Sequence, residues 1–264
     1  MTRPQATALD LTPAPGAAPM PRMVLAQAGA EVRAMLRNGE QLLLTMIIPV
    51  LLLVGFSALP LVDLGTTRRI DFLAPGVLAL AIMSTAFTGQ AIATGFERRY
   101  GVLKRLGATP LTRRGLLLAK TLAVLAVQAV QTVVIVAVAL ALGWRPDIAP
   151  LTAVPALIAL VVLGTAAFSG LGLLMAGTLR AEATLAAANL VYLLLLGCGG
   201  VVVPLARFPD AIEPVLGLLP ISALSGGLRT VLAEGAWPAA SDAVILAVWA
   251  AGSLTSAART FRWD

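Results

Sequence analysis

Side chains that could do chemistry are scarce in this sequence. The 264 residues include no His and one Cys, Cys198, so the usual general base and the commonest metal ligand are missing. Neither lysine follows a glycine as the P-loop lysine does, because Lys104 follows Leu103 and Lys120 follows Ala119. No Gly-x-Ser-x-Gly motif, metal-ligand spacing or intramembrane carboxylate pair is present. The sequence therefore predicts no catalytic residue, no metal site and no nucleotide site of its own.

The polar residues that remain stand in long apolar segments, which determine the fold class. Hydrophobic residues make up 59% of the chain and charged residues 12%, with a mean hydropathy of +0.92, whereas a soluble domain carries about a quarter charged residues. A helix that crosses the hydrocarbon core needs about 20 mainly apolar residues. Helices of a soluble protein are excluded because these apolar segments have no polar face that could contact water. We predict an all-α polytopic membrane protein with six transmembrane helices: Leu42–Leu61, Leu73–Gly95, Leu116–Leu142, Val154–Leu179, Thr184–Leu205 and Pro238–Ala258.

The basic residues predict the orientation of these helices. If the N-terminus is inside, most of the 19 Lys and Arg residues lie on the cytoplasmic side, as the positive-inside rule requires. Both termini are therefore expected in the cytoplasm. The formal net charge of +6 is then explained by the membrane topology, and we expect no nucleic-acid partner.

Two segments precede the first predicted span. Residues 1–20 are rich in Pro and Ala, which predicts a disordered cytoplasmic tail. Residues 21–41 alternate apolar with charged side chains and predict an amphipathic helix. This helix either lies in the interface of the inner leaflet or is a juxtamembrane helix with no partner.

The loop 97–114, ERRYGVLKRLGATPLTRR, is the longest predicted cytoplasmic connection between spans. Three of its side chains can share one face of a short helix: Arg99, Leu103 and Leu106. Gly107 and Pro110 then end that helix and turn the chain back to the membrane. A loop that only satisfies the positive-inside rule needs no such pattern, so a docking element is favoured over a plain loop.

The segment 207–237 is predicted outside the membrane, between the last two spans. Its apolar pieces, Ile212–Leu219 and Ile221–Ala233, are separated by Pro220. Neither is long enough to cross a core of about 30 Å. We predict a re-entrant hairpin that helps to form the outer end of a pathway, with an interfacial cap as the alternative.

Neutral polar side chains within the spans allow two interpretations. They can form hydrogen bonds between helices, or they can line a path for a bulky amphipathic substrate. Candidates for the substrate pathway are Thr88, Gln90, Gln128, Gln131, Asn189 and Tyr192.

Two stretches carry a resemblance to a known family. The first is Glu97–Leu106 followed by Ala108–Leu111, which is similar to an acidic-x-x-x-Gly-x-Leu pattern and a later Thr-Pro-Leu. The second is a Pro-punctuated hairpin before the last span, with Gly200, Pro204, Phe208-Pro209, Leu219-Pro220 and Leu228-Arg229. Together they resemble the membrane subunit of an ABC type-2 transporter, of the short kind found in bacterial drug and antibiotic exporters. The resemblance spans roughly residues 22–262, so the transmembrane domain is placed at 42–262.

The resemblance implies how the subunit works and where it is located. Two copies of this chain, or this chain and a similar permease, would pair with separate ATPase subunits in the bacterial cytoplasmic membrane. The partner would bind ATP and Mg, so that this chain has no cofactor and is not an enzyme. The residues expected to couple to the ATPase are Glu97, Arg98, Arg99, Tyr100, Gly101, Leu103, Lys104, Leu106 and Pro110. The residues expected in the outer hairpin are Pro204, Pro209, Pro220 and Arg229.

These observations lead to one main functional hypothesis and two alternatives. The main hypothesis is the permease of an ATP-driven exporter that moves a drug, natural product or lipid outward, as in antibiotic efflux. The alternative is a membrane scaffold or assembly subunit that transports nothing. An intramembrane enzyme that acts on lipid is disfavoured because the catalytic groups it needs are missing.

Overall fold

The computed structural model describes residues 16–58, 68–146 and 150–260, and no strand occurs in these ranges. The predicted all-α class is confirmed. A π-helical segment, Ser84–Gly89, joins α3 to α4, and a short 3-10 turn covers Leu205–Arg207. The α-helices are α1 Met20–Arg37, α2 Gly39–Ala58, α3 Arg69–Met83, α4 Gln90–Arg99, α5 Val102–Gly107, α6 Arg113–Ala141, α7 Pro150–Thr178, α8 Ala181–Cys198, α9 Glu213–Gly217, α10 Pro220–Ala233 and α11 Ala240–Thr260.

Within the described ranges, five helical stretches are long and apolar enough to cross a membrane. The first predicted span, 42–61, corresponds to α2, whose apolar helix is described over Thr45–Ala58. Its residues 59–61 lie outside the described residues, as do residues 1–15 of the predicted tail. The five stretches are Arg69–Arg99, Arg113–Ala141, Ala153–Thr178, Ala181–Cys198 and Ala240–Thr260.

The fifth predicted span ends earlier than expected. The prediction extended it to Leu205, but α8 ends at Cys198 because the backbone of Gly200 has a φ of 67°. The chain also folds closely here, since a Cβ on Gly199 would clash with Cγ2 of Ile221. Residues 199–204 therefore leave the helix and reach the hairpin as irregular backbone.

The long helices alternate in direction, so the bundle has two distinct ends. We call the end with α1 and the loop 97–114 the loop end, and the end with residues 199–238 the hairpin end. Helix α3, the π segment and α4 form one continuous rod between the two ends. Side-chain contacts support this arrangement, because Arg69 Nε donates to Phe56 O at the hairpin end and Arg98 donates to Leu179 O at the loop end.

Helix α7 is the centre of the bundle because glycines allow its neighbours to approach closely. A Cβ on Gly172 would lie 2.7 Å from Phe87 O in the π segment. On another face, a Cβ on Gly170 would lie 2.8 Å from Leu254 N and closer still to the Ser253 side chain. Ser253 Oγ donates to Ala167 O at 3.1 Å across the same contact. Small residues thus fix the spacing of α7 from both the π segment and α11.

We predict that Gly170→Ala destabilises the bundle. The added methyl group meets α11 backbone that cannot move aside, and overpacking of this kind costs about 1–3 kcal/mol. Thermal unfolding of the detergent-solubilised protein should show a lower apparent Tm. The matched control is Gly252→Ala on α11, where a Cβ meets nothing within 4 Å. Equal Tm values for both variants would contradict the close packing of α7 and α11.

Candidate functional site

The loop 97–114 contains the predicted short helix. Helix α4 ends at Arg99, and Gly101 then adopts a φ of 70°, which is left-handed and separates α4 from α5. Helix α5 ends at Gly107, and Thr109 Oγ1 donates to Leu106 O at 2.6 Å in the turn that follows. Thr112 then caps α6 by accepting a hydrogen bond from Gly115 N at 3.1 Å. The predicted helix and its stop are therefore present.

The expected position of Arg99 is wrong. It lies on α4 and not on one face of α5 with Leu103 and Leu106, because the turn at Gly101 intervenes. Arg99 instead pairs with Glu182 in the first turn of α8. The neighbouring Arg98 donates to Leu179 O, which precedes α8. The two arginines thus fasten the end of α4 to the junction of α7 and α8.

Helix α5 has one buried side and one exposed side. Leu103 is fully buried in an apolar cluster with Val24 of α1 and Leu116 of α6, and Leu106 packs against this cluster. Tyr100 is 68% exposed, and Val102, Lys104, Arg105 and Pro110 are exposed as well. We call Val102, Lys104 and Arg105 the outer face of α5, and Tyr100 precedes it at the end of α4. This face lies on a helix that buried leucine holds firmly to the bundle.

A buried ion cluster stands directly behind this helix. Lys120 of α6 is 3% exposed, and its Nζ lies 2.7 Å from Glu97 Oε2 and 3.0 Å from Glu31 Oε2. Gln27 Nε2 donates to the other oxygen of Glu31 at 2.8 Å. The three charged residues come from α6, α4 and α1. We call Lys120, Glu97 and Glu31 the ion cluster, and it joins these three helices at the loop end.

Sequence reasoning missed the ion cluster. It treated Lys120 as one cytoplasmic charge among many and Glu97 only as a coupling residue. The side chain of Glu97 is turned inward, where it meets Lys120. A lysine inside an otherwise apolar helix was an available sign, because a buried ammonium needs a partner. The predicted amphipathic helix has a partner within the chain, since α1 packs against α6 and buries Val24 and Ala28.

Three of the six pathway candidates form hydrogen bonds between helices. Gln131 Oε1 accepts from Thr85 Oγ1 at 2.9 Å, and its Nε2 donates to Thr45 O at 2.6 Å. Gln128 Oε1 accepts from Thr165 Oγ1 at 2.6 Å. Gln90 Oε1 likewise accepts from Ser169 Oγ at 2.6 Å. All three glutamines are buried, which favours the interhelical interpretation for them.

The other three candidates line one cavity. It has a volume of about 540 Å³ and lies between α2, α8 and the junction of the π segment with α4. The buried Thr88 Oγ1 has no partner among the described residues, and Asn189 Nδ2 donates only within its own helix, to Leu185 O. A smaller cavity of about 240 Å³ around the ion cluster shares Phe96 and Asn38 with it. The candidates on this cavity are Thr88, Asn189 and Tyr192.

At the hairpin end, Arg229 joins two parts of the chain. Its Nη2 donates to Gly200 O at 2.6 Å and Val201 O at 3.1 Å, and its guanidinium lies 3.8 Å from the centroid of the Phe72 ring. Helix α10, which carries Arg229, begins at Pro220 and is largely buried against α3 and α7. The residues around Pro204 and Pro209 form turns, and α9 has no fully buried residue. A re-entrant hairpin stays a prediction, and this geometry is compatible with it.

A family profile accounts for most of this architecture. The profile described as ABC-2 family transporter protein matches residues 65–259, which include α3 to α10 and nearly all of α11. The chain belongs to the ABC-2 family of transporter proteins. The resemblance carried by the loop 97–114 and the hairpin is therefore confirmed, and the chain is a multi-pass membrane subunit of an ABC transporter. A search of curated proteins finds no match.

The range that matches the ABC-2 profile includes only part of the ion cluster. Glu97 and Lys120 lie inside the matched range, whereas Glu31 on α1 precedes it. The cluster thus ties a helix outside the profile to the transporter domain. ABC-2 subunits work with an ABC ATPase, and α5 and the ion cluster lie at the same end of this subunit.

We predict that Lys120→Met destabilises the subunit by about 3 kcal/mol, because it leaves two carboxylates without their cation. The triple variant Lys120→Met, Glu31→Gln, Glu97→Gln should recover much of that loss, since no charge is then left unpaired. Apparent Tm in detergent measures both effects. Lys104→Met is the matched control, because Lys104 is the other lysine and is exposed. Similar Tm values for the two single variants would show that the cluster does not stabilise the subunit.

Proposed function

We propose that this subunit is the permease of an ATP-driven exporter and that a separate ATPase docks on residues 97–112. The observation that carries the proposal is that this loop has both a buried anchor and an exposed surface. Leu103 anchors α5 to the bundle, while Tyr100 and Lys104 remain exposed for a partner. An exposed surface on a firmly anchored helix is what a force-transmitting contact needs.

In this proposal the ion cluster transmits motion of the docked helix. Glu97 lies four residues before Gly101, at the end of the rod formed by α3, the π segment and α4. A displacement of α5 by the ATPase would move this end, and the Lys120 contacts would pass the displacement to α6 and α1. Arg99 would pass it to α8 through Glu182. Glu97 therefore contributes as a link within the chain, and Tyr100 and Lys104 as contacts to the partner.

The proposed substrate is hydrophobic or amphipathic, and it moves outward. The cavity beside α2 and α8 has a volume of about 540 Å³, within the usual range for sites that take small organic molecules. Its lining has no charged side chain and combines apolar residues with six neutral polar ones: Asn38, Thr45, Ser84, Thr88, Asn189 and Tyr192. Such a lining suits a drug, a natural product or a lipid better than an ion.

The remaining expectations complete the proposal. A second copy of this chain or a similar permease pairs with it, and the partner ATPase binds ATP and Mg. The assembly lies in the bacterial cytoplasmic membrane, with both termini and the loop end in the cytoplasm. With the loop end in the cytoplasm, the hairpin end, with Arg229 and Pro220, lies at the outer side, and the role that we propose for the assembly is antibiotic efflux.

We predict that Tyr100→Glu removes the ATPase from the purified complex. An acidic side chain at this exposed position removes the aromatic ring that the partner would contact, together with its stacking on Phe96. The tagged subunit should be purified from its native membrane in mild detergent, and its partners identified by mass spectrometry. Trp237→Glu is the matched control, because Trp237 is an equally exposed aromatic residue at the hairpin end.

The parent and the control should carry a stoichiometric subunit with a nucleotide-binding cassette, and Tyr100→Glu should not. Retention of that subunit by Tyr100→Glu would contradict docking on residues 97–112. If the parent itself carries no ATPase under several gentle conditions, the scaffold alternative replaces the exporter.

We predict that Ile48→Trp lowers the maximal ATP-dependent efflux of an amphipathic dye about tenfold, equivalent to about 1.4 kcal/mol. The indole would fill the cavity that Ile48 lines. Ile47→Trp is the control, because Ile47 is its neighbour on α2 with nearly the same exposure and does not line the cavity. Equal loss in both variants would contradict passage through this cavity. Efflux of a small hydrophilic ion and of no lipophilic compound would contradict the substrate class.

A further inference from the structure

A third open space borders α6. It is a groove of about 580 Å³ between α6 and α11, with α7 as its floor. We call it the α6–α11 groove. It is separate from the cavity beside α8 and shares no lining residue with it. Its lining residues on α6 are Arg114, Leu117, Leu118, Thr121, Leu122 and Leu125.

The groove follows from the way its three helices pack. Gly170 lets α11 approach α7 closely, and the two helices touch along much of their length. On the other side, Thr121 Oγ1 and Ser169 Oγ lie 2.9 Å apart and hold α6 against α7. Helices α6 and α11 meet at few points, so a channel remains between them. Val162 and Ala166 of α7 form its floor.

The length of the groove corresponds to one leaflet of a bilayer. From Arg114 to Leu125 the chain rises about 16 Å at about 1.5 Å per helical residue. A hydrocarbon core of about 30 Å divides into two leaflets of about 15 Å. Leu118 and Val162 present large exposed apolar surfaces along this length. A single acyl chain therefore fits the groove in both length and polarity.

The loop end of the groove carries positive charge. Arg114 in the first turn of α6 and Arg259 in the last turn of α11 both line it, and both are exposed. Neither forms an ion pair with a described carboxylate, and no Asp or Glu is among the lining residues. Two guanidinium groups at the mouth of an apolar groove complement a phosphodiester, since arginine binds phosphate with paired N–H donors.

We propose that the α6–α11 groove binds one anionic phospholipid. Its phosphate lies between Arg114 and Arg259, and one acyl chain runs along Leu118 and Leu122 over the floor at Val162. Free phosphate satisfies only the charged end and leaves the apolar lining exposed. If the loop end is cytoplasmic, the lipid belongs to the inner leaflet. This binding does not depend on the transport role, because it uses a different face of the bundle.

Native mass spectrometry of the full chain in detergent tests the proposal. Phosphatidylglycerol and phosphatidylcholine of equal chain length are titrated separately, and the fraction of protein with one bound lipid is measured. Phosphatidylglycerol should bind more tightly than phosphatidylcholine. Arg114→Gln together with Arg259→Gln should weaken phosphatidylglycerol binding about 10- to 30-fold, the combined effect of two surface cations on an anionic lipid. The control is Arg113→Gln with Arg180→Gln, a pair of exposed arginines that do not line the groove.

A second pair of variants tests the apolar part. Val162→Trp fills the groove and should weaken phosphatidylglycerol binding, whereas Ile158→Trp, on an exposed position of α7 that does not line the groove, should not. Equal binding of the two lipids, or unchanged binding by the double Arg variant, would overturn the proposal. Displacement of phosphatidylglycerol by millimolar inorganic phosphate would also overturn it, since that result would identify a phosphate site and not a lipid site.

Discussion

A single ammonium group buried at the loop end constrains the arrangement of this subunit. Lys120 cannot leave water without neutralisation, and its carboxylates come from two other helices, α1 and α4. The position of α1 on the bundle and the direction of the chain into α5 both depend on this pairing. Leu103 and Val24 add an apolar contact beside it. Helix α5 is therefore connected to the bundle both through the ion cluster and through the apolar contact of Leu103.

The interior beyond the ion cluster combines close backbone contacts with neutral hydrogen bonds. Gly172 brings α7 against the π segment, and Gln128 and Gln131 bond α6 to neighbouring helices. Hydrogen bonds of this kind hold helices together in lipid, where apolar side chains contact lipid tails about as favourably as they contact another helix. Three open spaces border this interior: the neutral cavity beside α8, the smaller cavity around the ion cluster, and the α6–α11 groove with its arginines.

Much of the fold could be predicted from the sequence, because its governing patterns are local. Twenty-residue apolar runs predict spanning helices, and Gly107 and Pro110 predict the end of α5. Long-range pairs could not be predicted in the same way: Lys120 is 89 residues from Glu31, and no local pattern indicates their contact. The end of α8 was misplaced because the residues after Gly200 are as apolar as those before it, and hydropathy ignores the left-handed turn. The division of the pathway candidates also required the structure, since glutamine on a helix suits either a packed interface or a cavity wall.

The central claim is that ATP hydrolysis by a partner drives an amphipathic compound through this subunit, and flux in proteoliposomes tests it most directly. The subunit, reconstituted with the ATPase that co-purifies with it, should transport an amphipathic fluorescent probe when ATP and Mg are present. Transport should stop when a non-hydrolysable ATP analogue replaces ATP. Probe movement at the same rate with and without ATP would contradict the account, as would the absence of any flux from a complex that hydrolyses ATP.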